Sequence, residues 1–537
     1  MAPRLLDRVG MRPALLCLLL ALAWLPALRG GFVWDDINNL VRTDRLQQPG
    51  AFFEVFLHDA MWSAEASVAP VATYRPIALA SFALDFKVFG KEAWGFHLSS
   101  VLWHLLASLV VFALFRRWLG AQRALVLTAL WGLHPTAVEA VGWINGRSEV
   151  FALLFGGLAA LAAPHGWRGS LGVALGIVLG LLSKESALIF VPVALALAAE
   201  AEGRLETLRP WRWVSPPALV GALVGLVAYG LIRSAVLGGA APGFSFTGWI
   251  AALPAVWGHA FHTAVLPLDS GITILQGWLE GANTLEILGF HFLVVAFLAA
   301  AVLAWRRGER LVAIGLGWWW GALVPSATLV PMGWPGFQRW LYLALPGLLL
   351  AVGAALRSVP FGRTAAQQPA SEPASEPASE PAWGGWRRAI VLIFLVFLGV
   401  RMQLTLQVWQ DDGPLFQATA EEQPDMAFGY AGMGVWLIRV GEPAKAEVAL
   451  RQALAAKRPP GGMRLILASA IARQDRCADA VEQAALDADH LSPSVALDLA
   501  ICFDRAGERD KALIFYRICA KRLEVCRAEL ATPISAP

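Results

Sequence analysis

Apolar runs close to the roughly 20 residues that cross a bilayer recur from Leu15 to Val408, with only short loops between them. A chain built this way belongs in a membrane, and its spans read as helices that satisfy their own backbone groups. Composition agrees: 57% of the 537 residues are hydrophobic and 15% charged, outside the range of ordinary soluble domains. The formal net charge of +3 is too small to point to a nucleic-acid partner. Charge matters here by position.

Arg4, Arg8 and Arg12 precede the first apolar run, ALLCLLLALAWLPAL, which lacks a clear A-x-A cleavage site and is expected to remain as an anchor. By the positive-inside rule the amino end is cytoplasmic, and GFVWDDINNL at 31–40 emerges on the outer side. About eleven spans are expected, near 13–30, 96–115, 122–140, 148–164, 169–183, 185–200, 213–233, 285–305, 311–330, 339–357 and 388–409. This arrangement puts the basic groups at 116–118, 165–169, 204–212 and 306–310 inside. The run at 249–267 carries Pro254, His259 and His262 and is read as interfacial or re-entrant. Gly172, Gly176 and Gly180 form a small-residue stripe suited to close helix contact.

Two domains are expected. Residues 1–410 form the transmembrane domain and include a proline-rich SEP-repeat linker at 364–383, which cannot build a core and should be extended. Residues 411–537 form a helical domain. There Gly441 to Ala446, Asp475 to Ala480 and Gly507 to Ala512 repeat at spacings of about 34 and 32 residues, each a turn followed by a small alanine. That period is the tetratricopeptide pattern, with helix pairs near 427–457, 462–489 and 493–530. Cys477, Cys502, Cys519 and Cys526 lie here and allow three disulfide connectivities. On one continuous helix Cys519 and Cys526 would be about 10 Å apart, too far to bridge. Cys477 with Cys502 is the better pair, and free buried thiols are the alternative.

The candidate chemistry gathers at the outer ends of the spans. Asp35 and Asp36 are sequence neighbours whose side chains tend to point opposite ways, so they are not expected to share a proton. One can take a proton from an acceptor while its neighbour holds a structural or substrate contact; the structural reading is that DDINN caps a turn. Arg75, His134, Glu139, Arg147, Lys184, Glu185 and Arg339 fall at a similar depth, where ionisable groups need a partner or a purpose. Cations and acids together suit an anionic lipid-phosphate, and arginine's planar fork fits phosphate. The local alternatives are that Lys184 pairs with Glu185, that Arg147 pairs with Glu149, and that His134 bonds a backbone carbonyl. No nucleotide loop, zinc spacing or nucleophile elbow stands out.

FVWDD, TYRPIALASFALD, LHPTAVEAVGWINGRSEVFALL, LLSKES and QRWLYLALPG, in that order and followed by helical repeats, resemble the transmembrane and tetratricopeptide repeat-containing protein O-mannosyltransferases. The resemblance implies an all-α polytopic fold of GT-C type ending in a short repeat array. It also implies a polyprenyl- or dolichyl-phosphate mannose donor, and an acidic base in the first outer loop. Carried over, Asp35 and Asp36 are catalytic and Arg75 and Arg339 contact the donor phosphate; by its position among the outer-side cations, Lys184 is a further candidate for that phosphate. His134, Glu139, Arg147 and Glu185 support them. The family often has an acid before its last arginine, where this chain has Gln338. The short array suggests a bacterial-type member in an inner membrane, with its repeats extracytoplasmic.

The expected function is therefore transfer of a sugar, with mannose the leading candidate, from a polyprenyl-phosphate carrier to a protein or envelope glycan. No cofactor is required; an acidic pair near phosphate can hold a divalent metal, but none is predicted. Further expected partners are membrane lipids and a protein bound by the repeats. The runner-up is a non-catalytic membrane scaffold whose repeats recruit envelope proteins. A lipid flippase or transporter is disfavoured because paired interrupted helices are lacking.

Overall fold

The computed structural model describes residues 11–42, 44–63, 73–206, 213–238, 246–273, 284–325, 338–358, 383–487, 491–520 and 523–531. Among these residues every element is helical, apart from one bridge between Met426 and Lys457. Chain contacts divide the molecule into two compact units. One comprises Met1–Asp269 with Ile274–Gln410, the other Ser270–Thr273 with Asp411–Pro537.

Helices of eight residues or more are numbered in order. In the first unit they are α1 (Met11–Trp24), α2 (Pro76–Phe89), α3 (Ala93–Leu119), α4 (Ala121–Gly132), α5 (Arg147–Ala162), α6 (Trp167–Ser183) and α7 (Phe190–Ala201). There follow α8 (Pro216–Leu237), α9 (Phe246–Val265), α10 (Thr284–Arg306), α11 (Arg310–Leu323), α12 (Leu341–Ala355) and α13 (Trp383–Val408). The expected spans fall on helices as far as they are described, residues 326–330 of one lying outside the described residues, and among the described residues seven stretches are long and apolar enough to cross a bilayer alone. An eighth is bent: α4 and the turn at Pro135–Val141 meet at 60°. Proline cannot continue the backbone ladder there, and the break is where His134 sits. Helix α6 has 17 residues and α7 only 12, separated by the 3-10 turn Glu185–Ile189. The run read as interfacial is the 20-residue helix α9, with Pro254 inside it.

The glycine stripe has the expected packing use. A Cβ at Gly176 would lie 2.7 Å from both the Ala159 Cβ and the Phe155 carbonyl oxygen, and one at Gly172 would lie 2.8 Å from Ala162 Cβ. Helices α5 and α6 thus approach through backbone where larger residues would hold them apart. The expected linker lies, up to residue 382, outside the described residues.

The second unit contains α14 (Asp412–Glu422), α15 (Ala427–Arg439), α16 (Pro443–Ala455), α17 (Met463–Ala472) and α18 (Cys477–Ala485). It ends with α19 (Pro493–Arg505), α20 (Arg509–Cys519) and α21 (Glu524–Ala531). From α15 to α20 the helices form three hairpins, and each turn places one residue in the left-handed region: Gly441 at φ 82°, Asp475 at 60° and Gly507 at 76°. The alanine five residues after each, Ala446, Ala480 and Ala512, has no exposed surface. One turn and one close helix contact therefore recur at the spacing read from the sequence.

Two disulfides brace these hairpins, Cys477–Cys502 and Cys519–Cys526. The second corrects the expectation that Cys519 and Cys526 cannot meet. That expectation assumed one continuous helix, whereas α20 ends at Cys519 and α21 begins at Glu524, bringing the Cα atoms to 5.9 Å.

Candidate active site

The FVWDD stretch turns sharply as it leaves the first membrane helix. Trp34 adopts φ 53°, an uncommon conformation for a side chain of its size, and Asp35 and Asp36 start the helical turn that follows. The two aspartates then have different surroundings. Asp36 has no exposed surface; its Oδ2 accepts from the Val33 amide at 3.2 Å and its Oδ1 from the Asn145 amide at 3.0 Å. It ties the first loop to the segment before α5. Asp35 is only half-buried.

The turn also brings Trp34 onto Trp143, with ring centroids 4.7 Å apart and planes within 21°. The Arg339 guanidinium lies over both rings, 5.7 Å from Trp34 and 5.1 Å from Trp143. Arg339 also donates from its side chain to Glu139 Oε1 and from its backbone amide to Glu139 Oε2 at 3.1 Å. Buried Glu139 therefore orients the arginine, whose guanidinium lies beside the tryptophan pair. Beside it Gln338, also buried, donates to the Asp269 carbonyl at 3.2 Å.

The other cations are held in the same manner by different acids. Arg75 gives Nε and Nη2 to Glu185 Oε2 at 3.1 and 2.9 Å. Lys184 donates to Glu149 Oε1, and Ser186 Oγ donates to the other oxygen of that carboxylate at 3.2 Å. Arg75, Lys184 and Arg339 come from distant parts of the chain. Each has its own glutamate.

Two of the local alternatives are thereby set aside. Lys184 does not pair with Glu185, because the backbone at Lys184 is extended (φ −164°, ψ 144°) and adjacent side chains diverge. Arg147 does not pair with Glu149, because residues two apart on a helix face different directions. Arg147 is instead fully buried, donating to Asp85 Oδ2 at 2.6 Å, Ser81 Oγ at 3.0 Å, Ser100 Oγ at 3.1 Å and the Phe96 carbonyl at 2.7 Å. His134 is buried, with Nδ1 2.8 Å from Thr136 Oγ1 and Nε2 3.2 Å from the Ala264 carbonyl.

Sequence reasoning missed Glu149 as the partner of Lys184 and Asp85 as that of Arg147. The signal available was that each basic residue in an apolar setting demands an acid from another helix. The aromatic seat of Arg339 was also missed. Among the described residues no three His, Cys, Asp or Glu side chains gather as a metal-binding group would require.

Residues 74–232 match the family model for dolichyl-phosphate-mannose-protein mannosyltransferases. Part of the chain is also similar to proteins named protein O-mannosyl-transferases. The stretch matched by the family model contains Arg75, His134, Glu139, Arg147, Lys184 and Glu185, while Asp35, Asp36 and Arg339 lie outside it. It is 26% identical over 198 residues to a protein O-mannosyl-transferase of Caenorhabditis elegans, covering 35% of this chain and 28% of that one. It is 32% identical over 169 residues to the protein O-mannosyl-transferase TMTC1 of Mus musculus, covering 30% and 18%. With Tmtc2 of Drosophila melanogaster identity is 28% over 274 residues, 48% of this chain and 29% of that one. The chain thus spans less than a third of the length of these relatives. No solved structure matches it.

Proposed function

We propose that the protein is a membrane glycosyltransferase that moves one sugar, mannose by analogy with its relatives' names, from a polyprenyl-phosphate carrier to an extracytoplasmic acceptor. The observation that carries this reading is that Arg75, Lys184 and Arg339 are each held by a glutamate, with Arg339 beside the tryptophan that precedes Asp35. Asp35 is the general base. Asp36 is the residue that shapes the loop, since both its oxygens already accept backbone amides.

In the proposed step Asp35 takes the proton from an acceptor hydroxyl as its oxygen attacks the anomeric carbon. The bond from that carbon to the phosphate oxygen breaks, and the polyprenyl phosphate leaves with the electron pair. A single displacement inverts the anomeric centre. Arg75, Lys184 and Arg339 stabilise charge gathering on the leaving phosphate. Glu185, Glu149 and Glu139 keep those cations in place before the donor arrives, so little reorganisation is needed during the step.

The amino end is read as cytoplasmic and residues 411–537 as an extracytoplasmic tetratricopeptide domain that contacts a protein partner or the acceptor. The two disulfides support that side, because they persist in oxidising compartments. The test is to incubate purified full-length protein with a panel of polyprenyl-phosphate sugars and membrane extract, and to follow the labelled sugar. Transfer that depends on Asp35 supports the proposal. Protein that transfers no sugar from any donor, yet still captures envelope proteins through its hairpins, would instead be the scaffold.

A further inference from the structure

A second cationic site lies far from the one described. A cleft of about 530 Å³ is lined by Pro13 of α1, by Leu109, Phe112, Ala113, Arg116 and Arg117 of α3, and by Leu161 and His165 at the end of α5. Its volume is in the ordinary range of small-molecule sites, about 300–1,000 Å³. Leu109, Phe112, Ala113 and Arg116 follow the i, i+3, i+4, i+7 pattern and so form one stripe of α3. That stripe is apolar over its first turn and cationic at its end.

The candidate active site touches the beginnings of the same two helices. Arg147 opens α5 and bonds Phe96 and Ser100 near the start of α3. Arg116 lies sixteen residues beyond Ser100, about 24 Å along a helix. The cleft therefore faces the opposite leaflet and cannot be the donor phosphate site.

The charges differ in kind as well. Arg75, Arg147, Lys184 and Arg339 each pair with a carboxylate, whereas among the described residues no carboxylate pairs with Arg116 or Arg117. Both are exposed, with Arg117 placed 5.6 Å from the Trp118 ring centre. Trp167, two residues after His165, is 67% exposed, as tryptophans at the headgroup level often are. Arginines that no described carboxylate pairs with, above an apolar stripe between helices, match a molecule with an anionic head and a hydrocarbon tail.

We propose that this cleft binds an anionic phospholipid, with its phosphate on Arg116, Arg117 and His165 and the start of one acyl chain along Leu109, Phe112 and Leu161. The lipid fastens the ends of α1, α3 and α5 together on the face opposite the active site.

The test uses the full-length protein in nanodiscs of phosphatidylcholine alone or with phosphatidylglycerol, reading Tm and the lipids retained in native mass spectrometry. Wild type should retain phosphatidylglycerol in preference to phosphatidylcholine and melt higher in its presence. Arg116→Gln with Arg117→Gln should reduce that preference roughly tenfold or more, at about one charge contact per arginine. The corresponding double Lys variant should keep most of it. Ala113→Trp fills the cleft without changing charge and provides a readout even if the Gln variants insert poorly. It should also lose the retained lipid. Undiminished preference in Ala113→Trp overturns the proposal, as does stabilisation by millimolar inorganic phosphate equal to that by the lipid.

Discussion

Replacing each aspartate of FVWDD by asparagine should separate two functions that adjacent residues conceal in sequence. The Asp36 carboxylate uses both oxygens, one for the Val33 amide and one for the Asn145 amide, in a site with no solvent exposure. Asparagine supplies one acceptor oxygen and turns an NH₂ toward the other amide, so one bond is lost and two donors face each other. Hydrogen bonds to a charged group contribute about 1.5–3 kcal/mol, so Asp36→Asn should cost about 2–3 kcal/mol of stability. Asp35 is half-buried, and its substitution should change stability by less than ~1 kcal/mol. Its effect belongs in the rate. Removing a general base typically costs about 10²–10⁴-fold, and the loss should fall on kcat at saturating donor.

The assay pairs Tm in nanodiscs with initial rates of mannose transfer from a polyprenyl-phosphate donor. Asp35→Asn should leave Tm near wild type and nearly abolish transfer, while Asp36→Asn should lower Tm and retain measurable rate in the folded fraction. If Asp36→Asn keeps its Tm and loses transfer while Asp35→Asn keeps both, the roles are reversed and the reasoning from buried hydrogen bonds fails. If both transfer at the wild-type rate, the acidic pair has no part in chemistry.

Three further outcomes follow from the same contacts. Arg339→Lys keeps the charge but loses the planar fork that meets Glu139 and lies beside two tryptophans; donor saturation curves should show a tenfold to hundredfold weaker use of donor, corresponding to about 1.5–3 kcal/mol. Arg147→Met leaves Asp85 buried and unpaired and should destabilise by about 3–5 kcal/mol, whereas adding Asp85→Leu should restore much of the Tm; a double variant no better than the single would refute the pairing. Cysteine-to-serine changes should show their effect in the melting of the repeat unit. Loop-entropy estimates give about 3.5 kcal/mol for Cys477–Cys502 and about 2.4 kcal/mol for Cys519–Cys526, from sequence separations of 25 and 7, and an unchanged melt in reductant would count against both bridges.

What could be read in advance was set by periodicity, and what could not was set by partner choice. The repeat turns were legible because a left-handed residue and a small alanine leave local marks. Asp475 could be aligned with Gly441 and Gly507 by spacing alone, although it carries a side chain in the same conformation. The break between Cys519 and Glu524 left no such mark, since neither glycine nor proline occurs there, and a distance argument resting on helix continuity failed with it.

The charged residues follow a more general rule. Lys184 and Glu185 stand next to each other, and Arg147 and Glu149 stand two apart, yet neither pair forms. In an extended segment neighbours diverge, and on a helix residues two apart face different ways, so proximity in sequence argues against contact at both spacings. Each cation then takes an acid from elsewhere in the chain: Arg75 from 110 residues away, Lys184 from 35 and Arg339 from 200. Each of the three pairs is near neutral, which limits the cost of placing its charges in an apolar setting. A lipid phosphate bound by them must therefore share cations that already have partners. Its binding depends on how the arginine forks and the lysine are aimed, more than on the net charge of the site. For this reason the lysine substitution at Arg339 is a sharper test of the proposed donor site than removal of its charge.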